Sequence, residues 1–200
     1  MKKIIITQRL ELFGRYNELR DSMDIRLTKF MQGIGFLPIS IPNYIKDINL
    51  FIKEIKPSGI ILSGGGSSYK NDERAKLEKK LIKFSIKKDI PILGICRGAQ
   101  SINKYFGGKQ KRIKNHVRKK HTVFFVNKNL NSIQTNSFHD YGFNKIQISK
   151  NLRILGVSKD NNVEYFAHKK YNIFGIMWHP ERYNNIKKID KKILYDIFKK

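Results

Sequence analysis

The 200 residues contain one cysteine, one tryptophan, five prolines and only 16 acidic side chains against 41 lysines and arginines. A lone Cys96 excludes an internal disulfide framework and points to a reducing compartment. Long apolar runs are missing too. Met1-Lys2-Lys3-Ile4-Ile5-Ile6-Thr7-Gln8-Arg9 has a basic start, but its apolar stretch is far too short for a signal peptide or a membrane span. The cytoplasm is therefore the expected address, with no membrane contact. There is no repeat, low-complexity tract or Pro/Ser-rich linker. With 40% hydrophobic content the chain can bury one good core, so residues 1–200 are expected to form a single domain.

The shortage of acids leaves a formal charge of +25, which ordinarily suggests an anionic partner. Lys, Ile and Asn are used heavily throughout, as in proteins from A+T-rich genomes, and the lysines are spread over most predicted helices. Much of the charge therefore reads as solvated helix faces. Two clusters stand apart. Gln8-Arg9 opens a stretch that continues through Arg15, Arg20 and Arg26 with Asp21 and Asp24 between them, and Lys109-Gln110-Lys111-Arg112-Ile113-Lys114 is followed by Arg118-Lys119-Lys120.

The first half alternates short apolar runs with helical patterns, the order expected of a mostly parallel sheet with helices on both faces. Strands are predicted at Lys3–Thr7, Phe36–Ile41, Gly59–Leu62 and Ile90–Ile95. Helices are predicted at Glu18–Gln32, Asp47–Ile55, Asn71–Lys87 and from Cys96 through Phe106, where Gly107-Gly108 stops the last. In the second half, short β-like pieces are predicted at Thr122–Val126, Lys145–Ile148, Arg153–Ser158, Val163–His168 and Ile173–Trp178, before an amphipathic helix over Asp190–Phe198. The fold class read from this is α/β, flavodoxin-like, with additional short strands in the second half.

Chemistry concentrates at three strand ends. GICRGAQ, Gly94 to Gln100, sets the cysteine between small residues after an apolar run. A strand, a sharp elbow and a helix start would present a nucleophile this way, and the helix N-terminus favours the thiolate. Trp178-His179-Pro180-Glu181 follows the strand ending at Met177, so His179 and Glu181, two apart in extended backbone, can point together as a base and the carboxylate that orients it. Leu62-Ser63-Gly64-Gly65-Gly66 ends another strand in backbone free of side chains. The N–H of Gly65, with that of Arg97 just after the nucleophile, would form an oxyanion hole. Open α/β sheets place ligands at such ends. A lone cysteine in a strand is usually a small core residue, and a glycine run is commonly only a flexible turn. The elbow glycines and the His-x-Glu pair favour the nucleophile. His116, His121, His139 and His168 read as surface or packing residues, His139 alone keeping a chance of lining a pocket, and Trp178 as a core or pocket-wall aromatic.

GICRGAQ, LSGGG and WHPE, in that order, resemble the class I glutamine amidotransferases over nearly the whole chain. Asn136-Ser137-Phe138-His139, Arg97 within GICRG, and Val163-Glu164 resemble its γ-glutamyl hydrolase branch, from which His139-Asp140-Tyr141-Gly142 departs by lacking a second histidine. The resemblance implies a flavodoxin-like sheet, a γ-glutamyl thioester on Cys96, and no metal or organic cofactor. By matching motif positions it also implies that Gln100 and the Ser137-Phe138 backbone hold the α-amino and α-carboxylate ends of the glutamyl group, near Gly64 and Gly66. Two reading classes follow: a free-standing hydrolase of γ-glutamyl conjugates, or a glutaminase subunit that passes ammonia to a synthetase. A nucleic-acid-binding protein without catalysis explains none of the triad and ranks last. Arginine forks suit phosphate oxygens, so the expected partner is a small γ-glutamyl molecule with a phosphorylated, nucleotide-like leaving group, reached by Arg9 and Arg20. The sequence leaves the oligomeric state open.

Overall fold

The computed structural model describes residues 1–68, 71–127 and 132–199. In chain order the elements are β1 (Lys2–Thr7), β2 (Arg9–Phe13), β3 (Glu18–Ser22), α1 (Ile25–Gly33), β4 (Phe36–Ile41), α2 (Ile48–Ile55), β5 (Gly59–Leu62), α3 (Glu73–Lys88), β6 (Ile92–Ile95) and α4 (Arg97–Tyr105). There follow β7 (Lys111–Arg112), β8 (Val117–Phe125), β9 (Ile133–Phe138), β10 (Tyr141–Gly142), β11 (Leu152–Ser158), β12 (Val163–His168), β13 (Ile173–Ile176), a 3₁₀ turn (Pro180–Arg182) and α5 (Lys188–Phe198).

The main sheet runs β4-β1-β5-β6-β13-β12-β11-β8-β9. Pairing is parallel from β4 to β13 and antiparallel from there to β9. Both faces of the parallel half are covered. In β1, Ile4 and Ile6 pack with Leu27, Phe30 and Met31 of α1 and Leu194 and Phe198 of α5, while Ile5 packs with Ile52, Leu77, Leu81 and Ile102 of α2, α3 and α4. A strand buried on both faces has to be apolar at every position, which is why KKIIIT and GIIL read as runs rather than alternations. Aspartates start three helices by accepting from their first free N–H groups: Asp24 from Arg26, Asp47 from Asn49 and Leu50, and Asp72 from Ala75.

Two predicted elements differ. Glu18–Gln32 is not one helix: Glu18–Ser22 pairs with Arg9–Phe13 as an exposed hairpin, and the helix begins only after the Asp24 cap. Gly14 and Asn17, both at positive φ, make the hairpin turn. Lys145–Ile148 is a turn, because the Asn144 side chain accepts from the N–H of Ile146 and Gln147 and closes the backbone on itself. Strand β9 has no predicted counterpart, since its buried positions are the polar Thr135, Asn136 and Ser137.

Candidate active site

Cys96 joins β6 to α4 at φ 51°, ψ −104°, a conformation that L-residues seldom adopt. The turn closes because Gly98 lets α4 sit on β5: a Cβ there would come within 2.0 Å of the Leu62 carbonyl oxygen. The thiol is buried, 6% exposed. Burial would raise its pKa, but the charge of His179, a hydrogen bond with that ring, the charge of His139 and the Arg97 N–H together bring it below the ordinary thiol value.

His179 follows β13 and is itself held at both backbone groups: its N–H donates to Asn136 Oδ1 at 2.9 Å and its carbonyl accepts from Asn136 Nδ2 at 2.8 Å. Its Nδ1 meets Glu181 Oε1 at 2.7 Å, which leaves the other ring nitrogen for the thiol. Burial opposes the imidazolium, yet the charges of Glu181 and Cys96 push its pKa up to about 9. Cysteine lowered and histidine raised describe a thiolate–imidazolium pair steered by a carboxylate.

The glycine loop is shaped from behind. Arg74, 2% exposed, donates to the carbonyls of Ser63 at 2.6 Å, Gly65 at 2.8 Å and Gly64 at 3.3 Å, and pairs with Glu78, which also binds Arg97. In a trans peptide the N–H opposes the C=O, so tying the Gly64 carbonyl toward α3 turns the Gly65 N–H the other way. Gly65, Gly66, Cys96, Gln100, Phe138 and His179 line one cavity of about 390 Å³.

Other expected site residues are placed less uniformly. Gln100 lines the cavity and is fixed by Ser68 at 3.1 Å and the Tyr141 carbonyl at 2.9 Å. Gly64 instead backs the His179 ring, where a Cβ would meet Cε1 at 2.6 Å. Ser137 is fully buried, its hydroxyl donating to the His116 carbonyl, and does not line the cavity. Arg9 lies against Gly65 in a small hollow beside His179 and Glu181. Arg20 is not brought to the site: it projects from the hairpin, paired with Glu18 and stacked on Phe13. Trp178 is wholly in the core, its indole N–H donating to Asp190 at 2.9 Å.

Three residues were missed by the sequence reading. Asn136 clamps His179; Arg182 lines the cavity with its guanidinium 4.4 Å over the Phe138 ring; Gln110 lines it from the basic stretch before β7. Asn136 opens the Asn136-Ser137-Phe138-His139 motif and Arg182 directly follows Trp178-His179-Pro180-Glu181, and these positions are the available signal. His139, the one histidine of the four expected to have a chance of lining a pocket, does line the cavity, and with His116 and His121, expected as surface or packing residues, it surrounds the buried carboxylate of Glu164.

An activated thiol, an imidazole steered by a carboxylate and a glycine loop at parallel strand ends define an acyl-transfer site. The chain belongs to the class I glutamine amidotransferases, whose family model, Glutamine amidotransferase class-I, matches residues 22–200. Among curated relatives, Gamma-glutamyl-CDP-amidate hydrolase of Campylobacter jejuni is 38% identical over 193 residues, 92% of each chain. A glutamine-hydrolysing GMP synthase subunit of Methanosphaera stadtmanae is 31% identical over 84% of each chain. The chain spans only 30% of the Staphylococcus epidermidis GMP synthase, to which it is 29% identical. In fold it matches a glutamine amidotransferase of Thermotoga maritima at TM-score 0.68, with 17% identity, over 99% of this chain and 82% of that one.

Proposed function

We propose that this chain hydrolyses the γ-glutamyl amide bond of γ-glutamyl-CDP-amidate, releasing L-glutamate and cytidine diphosphoramidate as a step toward phosphoramidate-modified capsule polysaccharide. The observation that carries the reading is the Cys96–His179–Glu181 relay opening on a cavity lined by Arg182, with Arg9 in a separate small hollow beside His179 and Glu181, taken with the 38% identity to the Campylobacter enzyme. Cys96 Sγ attacks the γ-carbonyl carbon, and the N–H groups of Gly65 and Arg97 receive the oxyanion, an interaction worth about 3 kcal/mol per donor in such sites. As the C–N bond breaks, the His179 imidazolium gives its proton to the phosphoramidate nitrogen, and the glutamyl group stays on sulfur as a thioester. Neutral His179 then takes a proton from water, whose oxygen displaces the sulfur and frees glutamate. Arg182 and Arg9 meet the diphosphate. A thiolate nucleophile has to stay reduced, which supports a cytoplasmic address.

The test offers purified protein γ-glutamyl-CDP-amidate, glutamine and a γ-glutamyl polyamine, and measures glutamate released from each. The phosphorylated substrate is expected to be preferred, Cys96→Ala to be inactive, and Arg9→Ala to raise KM for that substrate far more than for glutamine. Equal effects on both would remove the anion argument. The likeness to the Methanosphaera GMP synthase subunit favours a second reading, a glutaminase that feeds ammonia to a synthetase; rapid glutamine turnover that rises when a synthetase is added would select it. Preference for the polyamine would select a hydrolase of another γ-glutamyl amine.

A further inference from the structure

Beyond the thiol site lies a second cluster of buried chemistry that the acyl-transfer mechanism leaves unused. Glu164, at the start of β12, has no solvent exposure, and neither carboxylate oxygen has a hydrogen-bond partner. His116 Nδ1 and His121 Nε2 each lie 3.5 Å from that carboxylate, and His139 Nε2 lies 3.8 Å from it. All three nitrogens are buried and unpartnered by hydrogen bonds. Five polar atoms thus converge at separations at or beyond the limit of hydrogen bonding, facing one another by charge without well-formed hydrogen bonds, an arrangement costly in a protein interior unless something else satisfies them.

The separations fit a coordinated ion. Nitrogen and oxygen ligands at about 2.0–2.2 Å in a tetrahedron stand about 3.3–3.6 Å from one another, and the facing atoms of His116, His121 and Glu164 all lie within 4.8 Å of each other. The outer contacts fit as well. His116 Nε2 is held by Asp160 at 2.9 Å, the carboxylate–histidine pairing that fixes which ring nitrogen faces a metal. His139 Nδ1 donates to the Tyr141 carbonyl at 3.0 Å, so Nε2 is the nitrogen that faces the cluster. The backbone is bent to make this possible. Five residues apart in a plain strand, His116 and His121 would face opposite sides. A register shift between Val117 and Lys119, with Arg118 at φ 53°, adds the extra residue that turns both inward.

We propose that His116, His121 and Glu164 bind a divalent first-row transition ion, zinc by the preference of a His/His/carboxylate set, with His139 facing the fourth position. The ion would join β8 to β12 and fix His139, which lines the thiol cavity. It is a structural site beside the reaction, and it departs from the cofactor-free expectation drawn from the family resemblance. The proposal does not rest on the substrate assignment.

The test uses Cys96→Ala protein, so that the thiol cannot compete for metal, freed of metal by chelator and titrated with Co²⁺. Saturation at one equivalent, with the visible absorption of a four-coordinate ion, and displacement by Zn²⁺ are expected. In the same background His121→Asn and Glu164→Gln should lose that saturable binding, Asp160→Asn should weaken it about 10–100-fold, and His168→Asn should leave it unchanged. Zn²⁺ should raise the melting temperature of the parent but not of His121→Asn, a partly exposed position chosen because the variant can fold. Absence of saturable binding in the parent, or binding by His121→Asn equal to the parent, would overturn the site.

Discussion

A thiol enclosed as fully as Cys96 ought to be a weak acid, since burial disfavours charge. It is lowered because its proton has an imidazole to go to, and that imidazole is raised by Glu181. The reactive pair exists below the histidine pKa, so kcat/KM should fall as pH rises through about 9. Glu181→Gln removes the anion that raises His179 and should shift this alkaline limb to lower pH, with kcat falling as well; a pH–rate profile reads both, and an unmoved limb would detach Glu181 from the relay. Asp190 poses the opposite case. Burial raises its carboxyl to about 6, against hydrogen bonding from Trp178. An acid whose folded pKa lies above its unfolded value contributes stability at low pH and loses it as pH climbs from about 4 to 6, on the order of 3 kcal/mol for two units. Asp190→Asn keeps an acceptor for the indole, so thermal melts should show it more stable than the parent at pH 7.5 and indistinguishable at pH 4.

Among the elements, α3 does more than cover the sheet. Its Arg74 and Glu78, with Arg97 of α4, form a buried cation–anion–cation chain that draws the carbonyls of the glycine loop backward. Glu78→Gln leaves two guanidinium groups facing each other in the interior, and breaking such a network costs about 3–5 kcal/mol. Urea unfolding should register that loss, and kcat should fall with KM little changed if the loop N–H groups serve the oxyanion. None of this was legible in the sequence, where ERAKLEKK reads as a solvated charged helix. The parallel half was legible, because doubly buried strands write themselves as apolar runs and each turn to a helix carries an Asp or a Gly. So were His179 and Glu181, whose two-residue spacing at one strand end is itself the geometry, and Cys96, marked by the small residues of its elbow. The hairpin of β2 and β3 was obscured because its residues are charged on both faces, which a helical surface also tolerates. The His116–His121–Glu164 cluster was hidden by a bulge that alters strand parity, and by a contact across separate strands that no local pattern encodes.

At the scale of the whole molecule, the path of the chain argues for one cooperative unit. Strand β13, from the last thirty residues, pairs with β6 of the first half on one edge and with β12 on the other. The sheet thus lacks the strand that joins its parallel and antiparallel parts until the C-terminal segment arrives, and α5 then closes the face on which Ile4, Ile6 and Leu93 lie. The groups proposed as nucleophile and base are divided across the same seam, Cys96 after β6 and His179 after β13. A single domain over residues 1–200 predicts that unfolding followed by the one tryptophan, Trp178 beside α5, coincides with unfolding followed by far-ultraviolet circular dichroism. A fluorescence transition at lower denaturant would mean that the second half detaches as its own unit. For the same reason residues 1–108 expressed alone should not give a cooperative transition: with β13 missing, β6 presents a bare, apolar parallel edge, and such an edge pairs with other copies rather than with solvent.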